Sequence, residues 1–317
     1  MSNTWFIPYN SKLKKGIIGM NNDIRDEFDT ILGKENRQLI FVQGDTGSGK
    51  SITTPWYVLR NNPNCEIHFL QPRVNIVTKI TKDLQDIKKA VFPKASASEA
   101  SASEASEAMK FFYPGENADI HLKKITFAHG GEEEDGFDES DIKVMTLGYY
   151  KSRISNLVKE DDKDYVIIID EAHEKNVDLE FILIQLKHLP IKRKIKIIIM
   201  SATLDSNDIE NYKKLFDKRI NEYDSITIKK EQLYIVKEHF LKSPTPDYEQ
   251  TIIALIQKLY DNKVNKNNFK VLVFLPGKAQ IERLYKECNI LDNNKLQYYN
   301  GFADKDDVFK KITDENN

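Results

Sequence analysis

The sequence predicts an α/β protein whose first domain is a parallel sheet wrapped by helices on both faces. Three observations carry this expectation. "LIFV" (39–42) and "YVIII" (165–169) are uninterrupted apolar runs of strand length and "IKIIIM" (195–200) is apolar but for Lys196, the pattern of strands buried on both sides. Most of these strand candidates are followed by a helix-patterned stretch, as crossover connections between parallel strands require. A glycine-rich turn, "GDTGSGKS" (44–51), follows the first of them.

In chain order, residues 1–20 read as an N-terminal extension and 21–222 as the first domain. Within it, "EIHFL" (66–70) predicts a strand and "VNIVTKITKDLQDIKKAV" (74–91) a helix. "IKVMT" (142–146) predicts another strand, with "GYYKSRISNLV" as the helix after it. "DLEFILIQLKHL" is the helix expected after "YVIII". Residues 223–317 read as the opening of a second α/β domain, with strands at "LYIVKEHFL" (233–241) and "KVLVFLP" (270–276) around the helix "YEQTIIALIQKLY". Between the strands of the first domain, "ASASEASASEASEA" (95–108) is a low-complexity insert unable to build a core. The acidic run "GGEEEDGFDESD" (130–141) reads as a solvated loop.

Composition bounds the function classes. Of 317 residues, 47 are basic and 49 acidic, for a net charge of −2, so bulk charge gives no footprint for a polyanion. Any such partner must be held by local sites. No apolar run approaches the ~20 residues of a membrane span. Cys65 and Cys288 lie far apart without metal-type spacing, which fits a reducing, intracellular setting.

The turn after the first strand fits G-x-x-x-x-G-K-[ST]. Glycines let the backbone turn its N–H groups onto an anion, and the following helix N-terminus favours phosphate. Gly44, Asp45, Thr46, Gly47, Ser48, Gly49, Lys50 and Ser51 are thus the candidate nucleotide-binding residues. Lys50 is expected to reach the β- and γ-phosphates, and the Ser51 hydroxyl to ligate Mg²⁺. The second feature is "YVIIIDEAH" (165–173), which delivers Asp170 and Glu171 to the C-terminal end of a parallel strand, where ligands of such sheets bind. Asp170 is expected to hold the same Mg²⁺ through water, and Glu171 to orient and deprotonate the attacking water. Taken alone, the pair reads equally well as a cap on a strand-to-helix turn.

"GDTGSGKS", "DEAH" (170–173) and "SAT" (201–203), in that order and each at a strand end, resemble motifs I, II and III of the DEAH-box helicases of superfamily 2. "LQPR" (70–73) resembles motif Ia, "MTLGYY" (145–150) motif Ib, and "VLVFLPGKAQIERL" (271–284) motif IV. The resemblance covers roughly residues 20 to 315 and extends, for this chain, to a viral branch akin to the poxviral nucleoside-triphosphatase helicase. It implies a RecA-like P-loop domain followed by an incomplete second one, with ATP and Mg²⁺ as cofactors. It also implies that His173, Ser201 and Thr203 couple nucleotide state to unwinding. Gln71, Pro72, Arg73, Thr146 and Gly148 are the nucleic-acid contacts it implies, with RNA preferred over DNA on the strength of the family alone.

Departures from the family pattern are also visible. Leu147 stands where motif Ib usually has an acid, and Lys82 where the family offers a base-stacking arginine. Motifs V and VI, the latter bearing the arginines for the γ-phosphate, are not among the 317 residues. The expectation is therefore ATP binding with weak turnover, and a second polypeptide supplying the missing motifs is one arrangement that would restore it. Two other classes remain open: a non-motor module that binds nucleic acid or a partner, and a DNA helicase or translocase.

Overall fold

The computed structural model describes residues 22–34, 38–45, 47–91, 124–157, 164–188, 195–216, 220, 222–228, 237–261 and 271–291. Two compact units divide the chain, Met1–Leu233 and Tyr234–Asn317. The first holds β1 (Gln38–Gly44), β2 (Cys65–Gln71), β3 (Ile125–His129), β4 (Glu132–Glu133), β5 (Ile142–Thr146), β6 (Asp164–Ile169), β7 (Ile195–Ser201) and β8 (Glu222–Ile228). They form one sheet in the order β4-β3-β5-β2-β6-β7-β1-β8. Every pairing is parallel except β3 with the short β4. The predicted α/β class is present.

Alternation along each strand sends successive residues to opposite faces, and both faces are covered. Ile40, Val42, Ile67, Phe69, Ile168 and Ile198 pack with Phe28 and Leu32 of α1 (Asn22–Leu32), Tyr57 of α2 (Lys50–Asn61) and Leu84 of α3 (Val74–Val91). Leu39, Phe41, Ile167, Ile169, Ile197 and Ile199 pack with Tyr150 of α4 (Leu147–Leu157), Ile182 of α5 (Val177–His188) and Phe216 of α6 (Ser206–Phe216). The Ile-rich runs are almost wholly apolar because neither face of their strands meets water. At the other end of the sheet, the buried Lys196 of β7 donates to the carbonyls of Leu32 and Lys34, and Gln38 donates to that of Ile31 at 2.9 Å. A cation on the carbonyl end of α1 satisfies acceptors the helix cannot and complements its dipole.

Three expectations are corrected. The boundary predicted after residue 222 would assign β8 to the second domain, yet β8 pairs with β1 from Gln38↔Glu222 to Gly44↔Ile228. β8 covers what would otherwise be the open edge of β1, so the first domain extends through Ile228. The acidic run is not all loop. Glu132 and Glu133 form β4, and Phe137 is buried against Tyr149. β3 was not foreseen. Finally, residues 271–275 and 237–241 form no strand. The second unit has α7 (Tyr248–Asp261) and α8 (Lys278–Leu291), joined by the Arg283–Glu249 ion pair at 2.7 Å. Val271, Leu272 and Phe274 are exposed. A strand exists only where a neighbour takes its N–H and C=O groups, and among the described residues this segment has none. The 95–108 insert, the 1–20 extension and the start of the 233–241 segment lie outside the described residues.

Not all of the sheet interior is apolar. Glu66 and His68 of β2 share a face, and the register His68↔Lys143 brings a β5 lysine onto it. Glu66 accepts from Lys143 and lies 2.8 Å from His68 Nε2, while His68 Nδ1 lies 3.3 Å from the Tyr150 hydroxyl. All four are buried. Burial alone would raise the Glu66 carboxyl, but the hydrogen bonds and charges of His68 and Lys143 hold it down at about 2, below its ordinary 4.5. A carboxyl depressed by folding contributes stability that is complete above its unfolded value and is lost as the pH falls toward 2. Glu66→Gln leaves the buried Lys143 uncompensated and is expected to cost about 3–5 kcal/mol at neutral pH. Denaturant melts of both proteins between pH 7 and 2 should show the difference shrinking below pH 4.5; a constant difference would refute the assignment.

Candidate functional site

With both faces buried, chemistry is confined to the strand ends. At the C-terminal edge, Thr146, Gln71, Asp170, Ser201, Gly44 and Ile228 end, or directly follow, the neighbouring strands β5, β2, β6, β7, β1 and β8. The registers Gln71↔Thr146, Leu70↔Ile169 and Gln43↔Ser201 set them level. The Asp170 N–H continues the ladder onto Leu70 O at 3.0 Å.

The phosphate-type loop leaves β1 at Gly44 and enters α2 at Lys50. Gly47 and Gly49 have φ of 80° and 85°, left-handed conformations that glycine adopts without steric cost. Ser48 N–H donates to Asp45 O at 3.0 Å, and Gly49 O accepts from the Thr53 hydroxyl at 2.7 Å. Asp45 and Gly47 are exposed, Gly49 and Ser51 half-buried; Thr46 lies outside the described residues. Lys50 is only 3% exposed, and among the described residues its charged partner is Glu171 Oε1 at 3.9 Å. That is too long for a hydrogen bond. A buried ammonium with so loose a partner is suited to receive a stronger anion. The Ser48 hydroxyl is likewise buried without a partner among the described residues. The loop's chemistry therefore fits a triphosphate.

Across β7 stands the acid pair. Asp170 is 2% exposed. Its Oδ1 accepts from the Glu171 N–H at 2.9 Å, and its Oδ2 from Gln71 Nε2 at 3.2 Å. Glu171 and Lys175, at the ends of a single 3₁₀ turn over Ala172–Glu174, both have positive φ, 52° and 43°. Such backbone is uncommon outside glycine and clusters at functional sites. The reversal carries His173 back toward β7. Its Nδ1 lies 3.3 Å from Glu171 Oε2 and 3.2 Å from Ser201 Oγ. Ser201 gives its one proton to Thr203 O at 2.8 Å and accepts from Thr203 N–H at 3.1 Å. Its oxygen can then only accept from the ring, which assigns the proton to Nδ1. Lys50, Glu171, His173 and Ser201 thus form one continuous line of contacts.

The predicted nucleic-acid residues divide. Arg73 and Gly148 are exposed and Pro72 half-buried. Arg73 pairs with Glu174 at 2.9 Å. Gln71 and Thr146, by contrast, are buried. Gln71 is 0% exposed and serves Asp170, while the Thr146 hydroxyl accepts from the Tyr149 N–H at 3.3 Å, capping α4. Both end strands interior to the sheet, so their side chains turn inward. Both are therefore turned away from solvent in this arrangement, where Arg73 and Gly148 face it. Glu174 and the Gln71 side of the acid pair were missed, although Gln71 ends a parallel strand just as the recognised acids do.

The DEAD/DEAH box helicase model matches residues 25–212. The chain belongs to this family. It is 25% identical over 267 residues to the provisionally named ATP-dependent RNA helicase L540 of Acanthamoeba polyphaga mimivirus, covering 82% of this chain and 33% of that protein. Against the human ATP-dependent RNA helicase TDRD9 it is 24% identical over 302 residues, covering 84% and 20%. Against the ATP-dependent RNA helicase HrpA of Borreliella burgdorferi it is 30% identical over 167 residues, covering 51% and 19%. The chain therefore spans a fifth to a third of the length of these relatives. The crystal structure of a hypothetical ATP-dependent RNA helicase from Sulfolobus tokodaii, 19% identical, covers 63% of this chain and 51% of its own at TM-score 0.41.

A β-carbon at Gly44 would lie 2.8 Å from Ser48 Oγ, 3.0 Å from Ile228 Cβ and 3.2 Å from Ile228 O. Gly44→Ala is expected to push the loop off β8 and weaken ADP binding at least tenfold in calorimetry, with a lowered melting temperature. Wild-type affinity would show that the loop tolerates the displacement.

Proposed function

We propose that this DEAD/DEAH chain binds and hydrolyses MgATP as a DEAH-type motor acting on RNA. The observation that carries the reading is the approach of Lys50 to Glu171 at 3.9 Å, loop and acid pair facing each other across the end of β7. The loop amides and Lys50 would hold the β- and γ-phosphates, and Ser51 with Asp170 would hold Mg²⁺. The metal supplies neutralisation of charge on the phosphate oxygens. Glu171 accepts a proton from the attacking water, its carboxylate steadied by Lys50 and His173. The His173–Ser201 contact ties that carboxylate to β7, which supports the coupling role and the DEAH subtype.

RNA is the partner favoured by the names of the relatives, and the chemistry is contact to phosphate by exposed groups at the same edge, Arg73 first among them. The Arg73–Glu174 pair is exposed, and such pairs contribute little, about 0–1 kcal/mol. A phosphate can therefore replace Glu174 at Arg73. Turnover by these 317 residues alone is proposed to be slow. The γ-phosphate arginines that the resemblance calls for are not among them, and such arginines contribute about 10³–10⁵ in rate. A second polypeptide carrying them would raise it.

Glu171→Gln is expected to keep nucleotide affinity while lowering phosphate release by about 10²–10⁴, in assays with and without RNA. Unchanged release would favour the non-motor binding module. Arg73→Ala should weaken RNA binding alike for all sequences and reduce the salt slope by about one, measured by fluorescence anisotropy at several ionic strengths with RNA and DNA oligonucleotides. An unaltered slope would remove Arg73 from the interface, and a preference for the DNA strand would reassign the substrate.

A further inference from the structure

The two oxygens of Asp170 are fixed by different means. The backbone N–H of Glu171 holds Oδ1 at 2.9 Å, and any residue at 171 would supply that donor. The donor to Oδ2 is a side chain, the amide of Gln71, 3.2 Å away on the neighbouring strand. Gln71 is fully buried, and the other end of its amide, Oε1, has no hydrogen-bond partner among the described residues. A buried amide oxygen left unmatched costs about 1–3 kcal/mol. An apolar residue of similar volume would avoid that cost. A buried polar atom of this kind calls for a partner such as a water or an ion, and Gln71 differs from the other residues with such atoms in standing beside Asp170.

We propose that Gln71 is the positioning residue of the metal site. It fixes the rotation of the Asp170 carboxylate through Oδ2, and only once Asp170 has placed the Mg²⁺ can its free Oε1 accept a hydrogen bond from a water on that ion. The inference rests on the MgATP reading above. Groups that hydrogen-bond a metal-binding side chain typically change metal affinity by about 10–100-fold when removed. Gln71 thus acts on the metal through Asp170 without contacting the nucleotide, which separates its signature from that of the loop residues. Position and chemistry both favour this role: β2 and β6 are locked in parallel register up to Leu70↔Ile169, so the next residue of each strand, Gln71 and Asp170, cannot avoid each other.

The test measures binding of the fluorescent analogue N-methylanthraniloyl-ADP to the full 317-residue chain, once in excess EDTA and once in Mg²⁺. The ratio of the two affinities is the Mg²⁺ factor. Gln71→Leu is expected to bind the EDTA form as wild type does and to lose about 10–100-fold of the Mg²⁺ factor. In the Asp170→Asn background, which lowers the factor by itself, adding Gln71→Leu should cause no further loss, because coupled residues are not additive. A wild-type Mg²⁺ factor in Gln71→Leu overturns the proposal, as does an equal loss in both backgrounds, which would mean a structural effect unrelated to Asp170. Gln71→Met repeats the cycle should the leucine variant not fold. Failure of both to unfold cooperatively in melts would assign Gln71 to structure and also overturns it. Lys50→Ala separates the two readings: if it too leaves nucleotide affinity unchanged, the MgATP reading itself has failed, whereas its loss beside an unaffected Gln71→Leu rejects Gln71 alone.

Discussion

A sheet buried on both faces has one kind of place for polar chemistry, the ends of its strands. The pairing of β6 with β7 and of β7 with β1 therefore governs the rest of this molecule. Strands in a sheet lie about 4.8 Å apart, so two such steps put the acid turn and the phosphate loop roughly 10 Å from one another, wide enough for a phosphate chain and its metal between them. Lys50 and Glu171 reach across that gap, and Ser201, on the strand between, meets His173 from below.

The Ile/Val runs made the central strands legible because double-sided burial leaves a continuous apolar signature. The glycine loop and the Asp170–His173 turn were legible because their chemistry demands few residue types at fixed spacing. What stayed hidden had no local signature. β8 reads "EYDSITI", half polar, and becomes a strand only because β1 offers it an edge. The same logic fails in the opposite direction for residues 271–275, whose composition is that of a strand but which form none and have no strand partner among the described residues. Propensity proposes a strand; pairing makes one.

Chain direction separates residues that the motifs group together. Gln71 and Arg73 are two residues apart, and a motif-level view treats them alike. The structure separates them: Gln71 still belongs to β2 and turns into the sheet, while Arg73 lies beyond the strand end and is solvent-exposed. The same holds for Thr146, the last residue of β5, against Gly148 in the first turn of α4. Where a strand stops decides whether its residues face the sheet interior or the solvent.

The buried ions between β2 and β5 bear on how that edge is assembled at all. Isoleucine and valine neighbours are nearly interchangeable under sliding, so they define a sheet without numbering it. Glu66, His68 and Lys143 supply the number. A slip of one residue would turn Lys143 to the face opposite Glu66, stranding a charge in hydrocarbon. Held to a single alignment, β2 must deliver its final glutamine beside Asp170 each time the chain folds; the ionic cluster deep in the core acts as the index mark from which the edge is measured.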